Sequence, residues 1–142
     1  MDASCENTYN ETSNTINSPN YPREYPHNKY CTWNVTAPVE SKISVERFSY
    51  SIVESSDCIF QYLEIYDGLD TRSGMVANLC GENTYGGMNS ATNNLFFVFH
   101  SDWYQAQGFQ IRLFLIGMKM YFSVEIISNF RIFRQRKKIK GA

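Results

Sequence analysis

The segment between Cys58 and Cys80 constrains the fold of this chain more than any other. In residues 62–66 two aliphatic side chains point to one side, and two tyrosines and a glutamate point to the other. This period of two is typical of a β-strand that buries one face. The Asp67-Gly68 pair that follows favours a tight turn and ends the strand. The sequence therefore predicts a half-buried strand with a cysteine on either side of it.

The cysteines are even in number and widely spaced, at Cys5, Cys31, Cys58 and Cys80. They contain no Cys-x-x-Cys pair of the kind that zinc ribbons use. We expect two disulfides, and the spacing alone leaves three pairings open. Because disulfides persist in oxidising compartments, an extracellular or secreted protein is predicted. The first residues lack the basic and apolar regions of a signal peptide, so we expect a fragment, a chain without its leader or an incomplete gene model.

Short apolar and β-branched runs elsewhere in the chain have the same strand-like character. They are residues 31–35, 43–54, 95–100 and 109–115, and clusters of Gly, Pro, Asn and Ser separate them. Aromatic residues make up 15% of the chain, a composition that favours strands. No segment with a helical period precedes residue 116. These patterns predict a single all-β domain, a sandwich or a barrel.

The formal net charge of −1 hides a strong asymmetry along the chain. Residues 1–116 contain six Lys or Arg and thirteen Asp or Glu, for a net charge of −7, whereas residues 117–142 contain seven and one, for +6. The acidic body argues against a nucleic-acid surface, because phosphate binding requires clustered cations. It is compatible with a cation site or a basic protein partner.

The C-terminal segment, residues 116–142, also differs from the body in its pattern. Residues 111–130 are mostly apolar and six cations follow them, which is the order of a stop-transfer sequence. Arg112, Lys119 and Glu125 interrupt the apolar stretch, and each costs roughly 2 to 3.5 kcal/mol near a bilayer centre. We expect a disordered or adventitious basic tail. A membrane-proximal segment on the bilayer surface and a membrane span are the alternatives.

A series of motifs runs in a fixed order through the body of the chain. They occupy residues 5, 18–22, 25–26, 31–33, 48–54, 58, 62–68, 79–81, 94–99, 101–102 and 108–109. In this order and spacing the chain resembles the CUB domain, an extracellular module of complement-initiating and tolloid-like proteases, spermadhesins and many receptors. The resemblance covers residues 5–115 and implies a two-sheet antiparallel jelly-roll β-sandwich with two disulfides. It also implies that Cys5 pairs with Cys31 and Cys58 with Cys80.

Many CUB domains bind calcium at one end of the sandwich through oxygen ligands from several loops. Carried over onto this sequence, the ligand positions are Glu54, Gln61 and Asp102, with Tyr25 nearby. The family has an Asp where this chain has Gln61, and the neutral amide lowers the expected affinity for a divalent cation. The resemblance therefore implies a weakened calcium site and no other cofactor. The alternative is that Glu54 and Asp102 are loop residues satisfied by local hydrogen bonds.

We identify no catalytic constellation in the sequence. His100-Ser101-Asp102 holds the residue types of a hydrolase triad side by side, but triad members meet from separate segments. CUB domains are not themselves catalytic, so we expect a non-catalytic extracellular recognition module that binds a protein, or a glycan, through loops at one end of the sandwich. The contact residues that we single out, and expect to be exposed, are Tyr21, Tyr25, Tyr62 and Tyr66. The alternatives are a fragment of a multidomain secreted protease and the ectodomain of a single-pass membrane-anchored receptor.

Two tripeptides, which begin at Asn10 and Asn34, match the acceptor for N-linked glycosylation. Asn34 lies between Trp33 and Val35, which we expect to face the core, so its side chain is predicted to point outward. Asn10 and Asn34 are therefore the predicted glycosylation sites of the exported chain.

Overall fold

Two antiparallel sheets face each other in the computed structural model, which describes residues 5–117, 121–128 and 131–138. Short loops and one turn of 3-10 helix at Ser56–Cys58 connect the strands. The strands are β1 (Tyr9–Asn10), β2 (Thr15–Asn17), β3 (Tyr30–Thr36), β4 (Lys42–Val45), β5 (Phe48–Ile52), β6 (Tyr62–Asp67), β7 (Gly74–Leu79), β8 (Gly81–Tyr85), β9 (Met88–Asn89), β10 (Asn94–His100), β11 (Gly108–Ile116), β12 (Tyr121–Ser128) and β13 (Arg131–Lys138). The expectation of an all-β, two-sheet sandwich is confirmed.

The first sheet is built around the long strand β11. Residues 110–112 of β11 pair with β2, residues 113–116 with β4, and residues 108–109 with β5. Strands β1, β9 and β8 extend this sheet from β2, β4 and β5. Along β11 every second side chain is buried, which agrees with the alternation read from the sequence.

The second sheet has the order β13-β12-β3-β10-β6-β7. Its central strand β10 pairs with β3 on one side and with β6 on the other. Strand β6, the strand predicted between Cys58 and Cys80, buries Leu63 and Ile65 against the first sheet. The continuous apolar run of β10 is explained by its central place, because Val98 is buried on the outer face of the sheet as well.

Aromatic side chains fill the space between the sheets. Trp33 of β3 and Phe109 of β11 meet edge to face, with ring centroids 6.1 Å apart. Phe99 of β10 contacts the same Phe109 ring, with centroids 5.4 Å apart. The buried indole nitrogen of Trp33 donates a hydrogen bond of 2.9 Å to the Thr8 hydroxyl. These contacts join the two layers into one core.

Each disulfide links two cysteines that are consecutive in the order of cysteines along the chain. Cys5 is bonded to Cys31 and Cys58 to Cys80, with Cα–Cα distances of 5.9 and 5.6 Å. The first disulfide holds the N-terminal segment against β3, and the second holds the 3-10 turn against the end of β7. This is the pairing that the resemblance implies.

The C-terminal segment differs from the disordered tail expected for residues 116–142. Strand β12 pairs with the edge of β3, and β13 pairs with β12. Phe122, Val124 and Ile126 of β12 are fully buried in the core. The expectation was wrong for β12 and β13. Residues 121–128 alternate between buried and more exposed side chains, as in a strand that buries one face, and β13 pairs with this strand. Residues 118–120, 129–130 and 139–142 lie outside the described residues.

Within the described part of the chain, no helix is long and apolar enough to cross a bilayer. Membrane contact by the basic residues of the C-terminal segment stays a prediction.

Candidate functional site

Three loops meet at one end of the sandwich. Strand β10 ends at His100, beside the first residues of its neighbours, Tyr30 of β3 and Tyr62 of β6. The segments outside these strand ends therefore lie together. They are residues 18–29, 53–61 and 101–107, which we call the loop end. Backbone hydrogen bonds join them, including Tyr25 N–H to Ala106 O at 3.0 Å and Asn28 N–H to Asp102 O at 2.8 Å.

Gln61 is the centre of a polar network at the loop end. Its side chain is polar but buried, with only 1% of the residue's surface exposed. Its Oε1 accepts a hydrogen bond of 2.6 Å from the Tyr25 hydroxyl. Its Nε2 donates to Asp102 Oδ1 and, at 3.0 Å, to the carbonyl oxygen of Tyr104. The Val53 N–H donates to the Tyr25 hydroxyl oxygen at 3.1 Å. These five residues, which we call the Gln61 network, connect all three loops.

The Tyr25 phenol remains protonated over the whole physiological range. Burial raises its pKa to about 12, the Val53 N–H acts in the opposite direction, and the charge of Asp102 adds to the rise. The ring is fully buried and packs edge to face on Phe99, with centroids 5.0 Å apart. Tyr25 is therefore a fixed hydrogen-bond donor to Gln61.

We expect Tyr25→Phe to lower the free energy of unfolding by about 1–3 kcal/mol, because Gln61 Oε1 and the Val53 N–H both lose a buried partner. Chemical denaturation monitored by fluorescence measures the change. Tyr21→Phe is the matched control, because Tyr21 is 37% exposed. The control should change stability by less than about 0.5 kcal/mol. Equal effects of the two substitutions would contradict a structural role for the Tyr25 hydroxyl.

The Gln61 amide makes the expected calcium ligands, Glu54, Gln61 and Asp102, a poor match for a cation. Gln61 and Asp102 are joined by a hydrogen bond, and Glu54 is exposed. The Nε2 of Gln61 presents N–H groups to Asp102, whereas calcium requires oxygen ligands. The described residues contain no group of three His, Cys, Asp or Glu side chains that could hold a metal ion. The amide donors of Gln61 are thus unfavourable for a cation, and calcium binding at Glu54, Gln61 and Asp102 stays a prediction.

The four tyrosines expected to be exposed at the loops do not form one surface. Tyr25 is fully buried, and Tyr66 is 6% exposed, so the expectation was wrong for both. The Tyr66 ring lies on the outer face of β6 near Phe96, and its hydroxyl donates to Glu64 at 2.9 Å. Tyr62 is half-buried, and its ring stacks on that of His100, with the ring centroids 5.4 Å apart. Tyr21, at 37%, is the most exposed of the four.

A different set of large side chains is exposed at the loop end. Ile59, Phe60, Trp103 and Tyr104 are 60, 59, 68 and 67% exposed, and we call them the loop-end patch. The Phe60 carbonyl oxygen lies 2.7 Å from His100 Nδ1. The Trp103 ring stacks on the His27 ring, with the ring centroids 5.3 Å apart. These residues lie outside the motifs from which binding residues were predicted. The available signal was two pairs of large side chains in loops, outside any strand pattern.

The two glycosylation acceptors have different surroundings. Asn10 is exposed, and its Oδ1 accepts the N–H groups of Thr12 and Ser13. Asn34 is half-buried on the outer face of β3, between Phe96 of β10 and Glu125 of β12. Pairing with β12 thus leaves less room around Asn34 than its outward direction suggests. Modification at both positions stays a prediction.

Comparisons with known proteins agree with this architecture. The family model of the CUB domain matches residues 5–113. Human Tolloid-like protein 1 is 34% identical over 101 residues, which are 71% of this chain and 10% of the relative. The chain thus spans about a tenth of the length of this curated relative.

Two solved structures have a similar fold. The full extracellular region of zebrafish Gpr126/Adgrg6 matches with a TM-score of 0.67 and 25% identity, over 82% of this chain and 15% of that one. The MASP-1 CUB2 domain bound to Ca²⁺ matches with a TM-score of 0.61 and 21% identity, over 70% of this chain and 88% of that one. At this identity the second comparison shows the fold alone.

Proposed function

The chain belongs to the CUB domain family, and from this premise we propose that it is a non-catalytic extracellular recognition module whose loop-end patch binds a protein partner. CUB domains are interaction modules rather than enzymes. The proposal concerns this domain, which spans 10% of the length of human Tolloid-like protein 1.

The observation that carries this proposal is the display of four large apolar and aromatic side chains at the loop end. Isolated exposed apolar residues are common on protein surfaces, but here two come from each of two neighbouring loops. The Gln61 side chain connects these loops, because Gln61 follows Phe60 and donates to the Tyr104 carbonyl oxygen at 3.0 Å. Aromatic anchors held in place lose little entropy on binding and are enriched among residues that dominate binding energy.

Charge indicates which partner the loop-end patch suits. The loop end carries four carboxylates, at Glu24, Glu54, Asp57 and Asp102, and two cations, at Arg23 and Lys29. Residues 1–116 as a whole have a net charge of −7. We therefore infer a protein segment with exposed apolar side chains next to Lys or Arg, since complementary charge favours encounter and discriminates against acidic partners.

A random peptide library displayed on phage tests this proposal. We expect the domain to enrich peptides that combine apolar residues with Lys or Arg. Trp103→Ala should weaken the binding of enriched peptides by about tenfold or more, as removal of an aromatic anchor does. Ile59→Ala should weaken it less, because the side chain is smaller. Calorimetry or interferometry with the synthetic peptides measures these changes.

Leu69→Ala is the matched control for Ile59→Ala. Leu69 is 61% exposed, similar to Ile59, but it follows β6 and lies at the opposite end of this strand. It should leave peptide affinity unchanged within about twofold. The proposal fails if Trp103→Ala and Leu69→Ala act alike, or if the domain enriches no peptide. Binding to a glycan array without peptide binding would replace the protein partner by a glycan.

A further inference from the structure

We propose that the side-chain amide of Gln61 takes the structural place of a divalent cation, so that the loop end is held together without calcium. The role is internal to the fold and does not depend on which partner the loop-end patch binds. Four observations support it: the contacts of the amide, its orientation, its burial and the charge around it.

The Gln61 amide joins the oxygen atoms of two different residues in the loop of residues 101–107. Its Nε2 donates to Asp102 Oδ1 and to the Tyr104 carbonyl oxygen. Oxygen atoms brought close together in a protein repel each other unless a cation or a hydrogen donor lies between them. Here the NH₂ group supplies two donors, one for each oxygen.

The orientation of the amide follows from its neighbours. The Tyr25 hydroxyl oxygen accepts the Val53 N–H at 3.1 Å, so its own proton is free to be donated. It lies 2.6 Å from Gln61, and the amide oxygen is the acceptor that suits this proton. The amide nitrogen must then face Asp102, where a carboxylate accepts. A flipped amide would place its nitrogen against a donor and its oxygen against a carboxylate, and both contacts are unfavourable.

Burial makes this hydrogen bonding strong enough to hold the loops. Gln61 and Tyr25 are 1 and 0% exposed, so water does not compete for their polar groups. A hydrogen bond to an ionised carboxylate is roughly twice as strong as one between neutral groups. The network thus ties residues 25, 53 and 61 to the loop of Asp102 without an ion.

The charge at this position is too low for a divalent cation. Among the described residues, Asp102 is the one carboxylate that accepts a hydrogen bond from Gln61, and Glu54 is exposed. Calcium sites use several carboxylate or carbonyl oxygens, and affinity falls as the ligand charge falls. An incoming ion would also have to displace both amide donors. We therefore expect calcium not to stabilise the domain.

Thermal unfolding of the folded, disulfide-bonded domain tests the proposal. The wild type should have the same Tm in millimolar calcium and in EDTA. Gln61→Asp should be less stable than the wild type in EDTA, because it loses both amide donors and places a second carboxylate near Asp102. Millimolar calcium should then raise the Tm of Gln61→Asp by roughly 5 °C, the shift expected for an ion present at about ten times its dissociation constant.

Gln61→Asn is the matched control, because it has the length of Asp but keeps the neutral amide. It should lose stability and show no response to calcium. The double variant Gln61→Asp, Asp102→Asn should lose the calcium response of Gln61→Asp. If Gln61→Asp does not fold, Gln61→Glu provides the same test, since it has the shape of the wild-type side chain and an oxygen in place of Nε2.

Two results would overturn the proposal. A calcium-dependent rise in the Tm of the wild type would mean that an ion binds despite the amide. Absence of a calcium response in both Gln61→Asp and Gln61→Glu would mean that the amide does not stand where a cation would bind. Both readouts are independent of peptide binding, so failure here and failure of the proposed function can be told apart.

Discussion

Phe122→Ala should lower the free energy of unfolding by about 3–5 kcal/mol, the loss typical of a large side chain deleted from a core. Phe122 of β12 is fully buried, and its ring lies 6.4 Å from that of Tyr9 in the opposite sheet. Ile126→Ala, on the same face of β12, should cost about 2–5 kcal/mol. Denaturation in urea measures both losses. The slope m shows whether the surface area exposed on unfolding has changed.

Ile132→Ala is the matched control for Ile126→Ala. Ile132 lies on β13 and is 63% exposed, whereas Ile126 is fully buried. The control should change stability by less than about 0.5 kcal/mol. If Phe122→Ala and Ile126→Ala are as stable as the wild type, β12 does not contribute to the core. The disordered tail expected from the sequence would then be the better description.

Removal of the Cys5–Cys31 disulfide should lower the free energy of unfolding by about 3.5 kcal/mol through the greater conformational entropy of the unfolded chain. The bond closes a loop with a sequence separation of 26. The double variant Cys5→Ala, Cys31→Ala should lose more than this, since both sulfur atoms lie in the core and leave a cavity. The Cys5 N–H also donates to the Ser128 hydroxyl at 3.2 Å, so the disulfide supports the end of β12. Denaturation under non-reducing conditions measures the loss.

The second disulfide provides the comparison. Cys58–Cys80 has a similar sequence separation of 22, but both cysteines are only half-buried. Cys58→Ala, Cys80→Ala should therefore show the loop-closure cost of about 3.4 kcal/mol with little added cavity cost. A larger loss for this variant than for Cys5→Ala, Cys31→Ala would contradict the difference in burial.

The half-buried strands of the body were predictable because their signal is local, whereas the mostly exposed β7 and β8 carry no such signal. Leu63 and Ile65 in β6, and the alternating residues of β11, are buried as the sequence pattern indicates. β12 carries the same alternation, but the cations that follow it give the segment the order of a stop-transfer sequence as well. Nothing near β12 in the sequence shows that the edge of β3 is available for pairing.

The candidate site was predictable only in part. The departure at Gln61 from the family Asp is visible in the sequence, and it indicated a weakened calcium site. The direction of the amide is not visible there, because Tyr25 and Asp102 stand 36 and 41 residues away from Gln61. The exposed tyrosines were predicted incorrectly at Tyr25 because a loop has no side-chain period to show which rings point inward.

The sequence by itself determined the strands with a clear apolar period, the cysteine content, the acidic body and the family, because these depend on local period, residue type and motif order. The tertiary structure alone decided the place of β12, the burial of Tyr25, the exposure of the loop-end patch and the orientation of Gln61. The physical reason is distance along the chain. A strand shows its buried face within a few residues, whereas a loop side chain takes its orientation from partners that only the packed sheets bring near.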